Sequence, residues 1–283
     1  MKMMYSLLIV ISLVAICGNV INANNPPNVP YSQEIGTQHV LMNYVSYCDT
    51  QQILDWTCPR CKNFPGATNI KVVENKELST FGVVATYNDT VFIAFRGSVD
   101  VTNWISNFEF AHVDYPNVTD AKVHFGFYHA WLGVADQSKV ALTDSLKECP
   151  TCTMIQVLGH SYGAAVSTFC MAEVVQWFPN IPVQSMTIGS PRVGNNVWAE
   201  WYNQLQPNTW RVVNQRDVVP HLPPRESVNE YHHVPNEIWY PKNSTTYEVC
   251  NDSGEDPSCS DSILPPFYSQ ADHLDYLGQD CCC

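Results

Sequence analysis

The chain has 283 residues, 45% of them hydrophobic and only 14% charged, a composition that excludes a disordered or fibrous protein. Its 27 acidic residues outnumber 14 basic ones for a formal charge of -13, and no run of five basic residues occurs, so neither nucleic acid nor an anionic membrane surface is an expected partner. Twelve cysteines point to an oxidising compartment.

In chain order, residues 1–23 read as a cleavable secretory leader. Lys2 is its only charge, residues 6–16 (SLLIVISLVAI) are apolar, and Ile21-Asn22-Ala23 resembles a cleavage site. The alternative is an uncleaved anchor, but the run falls short of the roughly 20 residues that span a bilayer, and Cys17, Gly18 and Asn19 interrupt it. No later segment could form a transmembrane span. Loss of Lys2 takes the charge from -13 to -14. Sequons at Asn88, Asn117, Asn243 and Asn251 agree with a secreted chain, or one in the lumen of the secretory or endolysosomal pathway.

A Pro-rich lead-in (24–31) is followed by a predicted helix over 32–47 and predicted strands over 70–74, 81–86 and 91–95, the last two joined at Asn88-Asp89. Residues 127–148 read as one long amphipathic helix ending near Pro150. Residues 154–158 form a short apolar run suited to a buried central strand. A helix over 164–178 follows, with Val166, Phe169, Cys170, Val174 and Trp177 on one face. Strands at 183–188 and 210–213 flank a helix near 196–206. Alternating strands and helices predict an α/β fold, and with no linker in sight residues 24–283 read as a single domain.

Gly159-His160-Ser161-Tyr162-Gly163 fits G-x-S-x-G between a predicted strand and helix, the context of a nucleophile elbow. The turn is sharp enough to crowd neighbouring backbones, and Gly159 and Gly163 relieve that crowding. Ser161 then stands at the apex, beside a helix N-terminus that favours developing negative charge. A serine hydroxyl needs a base, and the base an orienting carboxylate. Asp217 lies in a loop just past a predicted strand, at the sheet edge where such an acid belongs. Of the later histidines, His221 lies four residues on along a stiff Leu-Pro-Pro path and reads as structural. His232 and His233 read as half-buried polar contacts, with no ligand spacing to support a metal. His273 completes the order Ser161, Asp217, His273, in two steps of 56 residues each. No metal and no cofactor is required.

With these motifs in place the chain resembles the class 3, fungal-type lipases, secreted α/β-hydrolases that act on triacylglycerols. The shared segments are Phe95-Arg96-Gly97-Ser98, Asn103-Trp104-Ile105, Val123-His124-x-Gly126-Phe127, the elbow, Gly189-Ser190-Pro191-Arg192-Val193-Gly194-Asn195, Asp217-x-Val219-Pro220-x-Leu222-Pro223 and His273-x-x-Tyr276. They run in order over almost all of the chain beyond the leader. The resemblance implies a mostly parallel central sheet with helices on both faces and a short helical lid. It implies an oxyanion hole made by the backbone N–H groups of Ser98 and Tyr162, with the Ser98 hydroxyl as a third donor. Arg96, Arg192 and His124 read as framework residues, Arg96 pairing with a nearby acid. Residues 99–110 fit the lid, with Val101, Trp104, Ile105 and Phe108 on one helical face and Asp100, Thr102, Asn103, Ser106 and Asn107 on the other; the competing reading is an ordinary surface helix.

The family framework also implies disulfides Cys58–Cys61 and Cys250–Cys259, with Cys48 tied to one of Cys281, Cys282 and Cys283. Cys149–Cys152 would be an additional bridge, and Cys170 reads as a buried thiol. Two features depart from the family. Tyr162 stands where leucine is usual, and three terminal cysteines replace one. The expected activity is hydrolysis of lipid carboxylic esters by a monomer at an oil–water interface, most simply of triacylglycerols. Phospholipase A1 or feruloyl-type esterase activity is the alternative within the class. A non-catalytic secreted lipid- or glycan-binding protein is the alternative outside it, and a complete triad argues against that.

Overall fold

The computed structural model of the chain describes residues 30–106, 109–205, 208–225, 230–242 and 244–283. The leader at 1–23, Asn107 and Phe108 of the 99–110 segment and the Asn243 sequon lie outside the described residues. Valine, isoleucine, phenylalanine and threonine dominate the first three strands, β1 (Thr68–Asn75), β2 (Thr80–Tyr87) and β3 (Thr90–Phe95), which pair antiparallel as a meander. Five further strands extend the sheet: β4 (Met154–His160), β5 (Val183–Ile188), β6 (Thr209–Asn214), β7 (Glu237–Tyr240) and β8 (Glu248–Val249). The spatial order is sequential from β1 to β8; β3 to β7 run parallel and β8 closes antiparallel.

Successive residues of a strand face opposite layers, so the sheet builds two cores. Val91, Ile93 and Phe95 face the layer of helices α3 (Phe125–Leu132), α4 (Ala135–Glu148), α5 (Tyr162–Trp177) and α6 (Asn196–Leu205). Phe92 and Ala94 face the layer that holds α1 (Gln33–Tyr44). The Ser32 hydroxyl caps α1 by accepting from the Ile35 N–H at 3.3 Å. A second, antiparallel sheet of four short strands (His112–Asp114, Lys122–His124, Gly194–Asn195 and Tyr231–His232) lies beside the first. No helix among the described residues is long and apolar enough to cross a membrane.

One predicted element is corrected. Residues 127–148 are not a single helix: α3 ends at Gly133, and Val134, at φ -129° and ψ -2°, redirects the chain into α4. A Cβ at Gly133 would sit 2.6 Å from Leu78 Cδ1, so the chain there runs hard against the β1–β2 turn. Val134 is buried, and both helices face the same core, which is why the apolar pattern continues through the break.

The bridges Cys58–Cys61, Cys149–Cys152 and Cys250–Cys259 are present, Cys281 pairs with Cys282, and Cys170 is a buried free thiol. Cys48 is joined to Cys283. Arg60 holds the C-terminal segment in place for this, donating from Nε to the Cys282 carbonyl at 2.9 Å and from Nη2 to the Asp280 carbonyl at 2.5 Å. The bridge spans 235 residues of sequence, and a loop of that size stabilises by about 5.5 kcal/mol in the chain-entropy account. Non-reducing peptide mapping should therefore recover Cys48 with Cys283. Cys283→Ser should lower the urea-unfolding free energy by about that amount; an unchanged value, or Cys48 mapped to Cys281 or Cys282, would reject this pairing.

Candidate active site

Strand β4 ends at His160 and α5 starts at Tyr162, leaving Ser161 alone to turn the chain, at φ 59° and ψ -129°. That conformation is rare for a residue with a side chain and costs about 1–3 kcal/mol. Space for it comes from two glycines. A Cβ on Gly159 would lie 2.3 Å from the Gly163 carbonyl oxygen, and one on Gly163 would lie 2.4 Å from that of Phe95. The Ser161 N–H donates to the Ile188 carbonyl at 3.0 Å, pinning the elbow to β5.

Asp217 lies just beyond β6, and its two carboxylate oxygens are used differently. Oδ1 accepts from the Val219 N–H at 2.8 Å, while Oδ2 accepts from His273 Nδ1 at 2.8 Å and from the Tyr276 hydroxyl at 2.5 Å. Burial and the nearby Asp217 charge push the Tyr276 phenol well up, so it remains a donor. With its Nδ1–H committed to Asp217, His273 presents Nε2 as an acceptor. Gly189, at φ +56°, permits this approach, since a Cβ there would lie 2.8 Å from both Asp217 Oδ2 and His273 Cε1. His273 Nε2 and Ser161 Oγ are both buried without a hydrogen-bond partner among the described residues, one an acceptor and the other a donor. Such bonds are commonly long in the absence of substrate. The structure thus brings Asp217 and His273 together at the edge of the sheet that carries Ser161.

A second polar chain runs behind these groups. The Gly97 N–H donates to the Tyr47 hydroxyl at 2.9 Å, and that hydroxyl donates to His160 Nδ1 at 2.6 Å. His160 Nε2 in turn donates to the His273 carbonyl at 3.0 Å, and the two imidazoles stack at 4.6 Å. Complete burial holds His160 neutral, well below its ordinary value. The chain ties the Arg96–Ser98 loop, the elbow and the base into one unit. Tyr47 was not singled out from sequence, and His160 and Tyr276 were noted only within motifs. The partners are 50, 113 and 59 residues apart, beyond any local pattern; a hydroxyl or imidazole next to the elbow motif was the one available hint.

The Arg96–Ser98 loop lies against the elbow, for a Cβ on Gly97 would come within 2.8 Å of Ser161 Cβ. Ser98 and Tyr162 border a cavity of about 720 Å³, which Phe127, Trp104 and Arg96 also line. The Tyr162 phenol reaches across to the β1–β2 turn, donating to the Leu78 carbonyl at 3.0 Å and pairing with Thr80 Oγ1 at 3.1 Å. Arg96 lies over the Phe81 ring at 4.8 Å, where an acidic partner was expected. Arg192 does hold an acid: its guanidinium makes a buried bidentate pair with Glu255 at 2.8 and 2.7 Å. His124 caps α3, accepting from the Phe127 N–H at 3.3 Å. His221 stacks on Tyr268, and His233 shares a hydrogen bond with the Pro220 carbonyl. Among the described residues one cluster, Glu237 with Cys250 and Cys259, has metal-ligand groups within mutual reach, and both its sulfurs are in a bridge.

A short helix, α2 (Val101–Ser106), borders the same cavity through Asn103 and Trp104. Val101 is buried, Trp104 and Ile105 are half-buried, and Thr102, Asn103 and Ser106 face outward, the division predicted for its two faces. Trp104 stacks on Phe127 at 6.2 Å, and Gln270 Nε2 donates to Thr102 Oγ1 at 2.7 Å, fastening the helix to the loop that leads to His273. Ser161, Asp217 and His273 are all fully shielded from solvent.

A serine at a strand–helix elbow and an Asp–His pair at the same sheet edge define a serine hydrolase of the α/β-hydrolase fold. Residues 92–227 match the family described as Lipase (class 3). The lipase of Rhizomucor miehei is 34% identical over 256 residues, covering 87% of this chain and 69% of that protein. The secreted mono- and diacylglycerol lipase 1 of Fusarium solani is 38% identical over 158 residues, covering 55% and 46%. The structure of lipase II from Rhizopus niveus superposes with a TM-score of 0.81 at 28% identity, covering 88% of this chain and 95% of that one. The chain spans about two thirds of the Rhizomucor protein and 57% of the curated Rhizopus niveus lipase. This chain belongs to the class 3 lipase family, and is a carboxylic ester hydrolase.

Burial also sets the acid response of the fold. It depresses His39 to about 3, and His124 and His221 to about 4. The unfolded chain takes up these protons below about pH 6.5, where the native state does not. Their contribution is therefore complete above pH 6.5 and is lost as pH falls towards 4. Asp261, raised by burial to about 6, works in the opposite sense, as do Glu173 and Asp275, but His112, His160 and His233 are depressed by burial as well and add to the first three. The urea-unfolding free energy, and with it the midpoint, should therefore fall between pH 7 and pH 5, the free energy by on the order of a few kcal/mol in total. A flat midpoint would mean that these rings are not buried neutral.

Proposed function

We propose that the chain is a secreted lipase that hydrolyses the ester bonds of triacylglycerols through an acyl-enzyme. In this reading the leader is removed and residues 24–283 act as one monomeric domain, outside the cell or in a secretory or endolysosomal lumen. The observation that carries it is the Asp217–His273 pair, with a free Nε2 at the same buried edge as the unpartnered Ser161 hydroxyl, beside a cavity bordered by a helix docked by its apolar face.

Ser161 Oγ attacks the ester carbonyl while His273 Nε2 takes its proton. Asp217 keeps Nδ1 protonated and stabilises the imidazolium. The carbonyl oxygen becomes an oxyanion held by the N–H groups of Ser98 and Tyr162, Tyr162 being the first residue of α5, where the helix dipole adds to the field. Collapse of this intermediate expels the alcohol, which leaves with the proton from His273. Water, deprotonated by the same imidazole, then attacks the acyl-serine and releases the fatty acid.

The three groups are shielded, and in this reading substrate reaches them once α2, which lines the adjacent cavity, swings away. In water that exposes Val101, Trp104 and Ile105, and each such side chain is worth roughly 1.5–3 kcal/mol when fully buried. At an oil surface the same side chains enter lipid, so the open form gains population there. This coupling favours a lipid ester over the soluble aromatic ester of a feruloyl-type enzyme.

Ser161→Ala and His273→Ala should each lower kcat by up to about 10⁶-fold, roughly 8 kcal/mol of barrier. Ser98→Ala should lower it by about 10²-fold, roughly 3 kcal/mol, with little change in KM. Activity that survives in His273→Ala but is lost in His221→Ala would overturn the assignment of the base. A panel of emulsified triolein, phosphatidylcholine, tributyrin and methyl ferulate should show preference for the acylglycerols.

The tributyrin rate should jump as droplets form at its solubility limit, and Trp104→Ser should blunt the jump. Smooth saturation through the limit would reject the lid.

A further inference from the structure

The described residues expose one continuous apolar tip, Leu264-Pro265-Pro266-Phe267, with Leu264 62% and Phe267 60% exposed. It forms a single tight turn (Pro265–Phe267), closed by the Phe267 N–H on the Leu264 carbonyl at 2.9 Å and stiffened by two prolines. The segment is not loose. Ser269 bonds both Arg216 and Val218 on either side of Asp217, and Tyr268 stacks on His221 at 4.0 Å. Gln270 fastens the same segment to Thr102 of α2. A rigid turn thus presents two large apolar side chains to water at the rim of the catalytic site. Residues 262–271 carry no charged side chain, in a chain whose formal charge is -13. The charged residues that flank this segment in sequence, Asp261 and Asp272, are paired with Arg225 and Arg216.

Two further observations orient the molecule. The sequon asparagine Asn88 sits in the β2–β3 turn, ahead of the start of β3. Asn251 follows Cys250, whose N–H bonds the Glu237 carbonyl at the start of β7. Both are exposed at the N-terminal ends of the parallel strands, the edge opposite Ser161, while Asn117, the third sequon asparagine among the described residues, is exposed in the turn between His112–Asp114 and Lys122–His124. Glycans on Asn88 and Asn251 would leave the edge that carries the tip clear. The apolar face of α2, by contrast, is turned inward in this conformation, with Val101 only 7% exposed.

We propose that Leu264 and Phe267 are an anchor for an uncharged lipid surface, engaged while α2 is still docked. The tip holds the catalytic edge against lipid, and release of α2 follows on the bound molecule. This inference rests on the reading of the chain as a lipase. The partner is a surface of neutral acylglycerol or zwitterionic lipid, since the tip offers apolar area and no net positive charge.

The test measures adsorption separately from hydrolysis. Triolein droplets coated with phosphatidylcholine are sedimented with the Ser161→Ala chain, with and without Leu264→Ser and Phe267→Ser, and the bound fraction is read. The double substitution should weaken partitioning by about tenfold or more. Placed in the otherwise unaltered chain, it should leave the rate on dissolved p-nitrophenyl butyrate within about twofold, which also reports intact folding. Trp104→Ser, on a face turned inward, should leave initial adsorption nearly unchanged. Equal adsorption with and without the tip residues overturns the proposal, as does loss of adsorption in Trp104→Ser alone. A chain that adsorbs through the tip but cleaves no ester would sink the lipase reading and leave the anchor standing.

Discussion

At Ser161 the backbone passes from the central strand β4 into α5 in a conformation that residues with side chains seldom adopt. The turn persists because the surrounding packing leaves the chain no other path. Gly159 lies against Gly163, Gly163 lies against the end of β3, and the Ser161 N–H is held by β5. One strained residue, supported by three parallel strands and a helix, points a hydroxyl to the sheet edge and aims a helix N-terminus at the same space. The positions of Asp217, Ser98 and Tyr162 have meaning only relative to that point.

Around the elbow, polar groups are held by other polar groups rather than by water. Asp217 Oδ2 takes two donors, from His273 and Tyr276, so the carboxylate cannot rotate without losing both. His160 is neutral and fully used, its two nitrogens joining Tyr47 to the backbone of His273. Buried networks of this kind are costly when one member is missing and specifying when all are satisfied. Here the outcome is a base whose tautomer and ring plane are set before substrate arrives, with Ser161 Oγ and His273 Nε2 left free for it.

The shielded state follows from the same economy of surface. Val101, Trp104 and Ile105 have nowhere better to go in water than the pocket beside Phe127. A helix of six residues is too short to hold its shape undocked. In the proposed reading its docking depends on the medium, which connects a local amphipathic pattern to the response expected of the whole protein. The apolar tip at Leu264–Phe267 adds a second element to that edge, one exposed while α2 is docked.

Much of this was legible in the chain itself. Motif and chain order singled out Ser161, Asp217 and His273, because an elbow needs glycines at fixed offsets and a triad needs an acid after a strand. Apolar periodicity located the strands and both faces of α2, because local hydrogen bonding imposes those periods. The period could not reveal the break at Gly133, since α3 and α4 share one core and the apolar pattern runs on through it. Nor could it choose among three terminal cysteines: the pairing of Cys283 with Cys48 depends on Arg60 gripping the backbone more than 200 residues away. Arg96 found a ring in place of an acid, and Tyr47, His160 and Tyr276 found their places through contacts that no spacing encodes. Sequence by itself determined the fold class and named the candidate reacting groups, which local geometry constrains. Only the tertiary structure decided what holds those groups still, because that comes from surfaces brought together by packing.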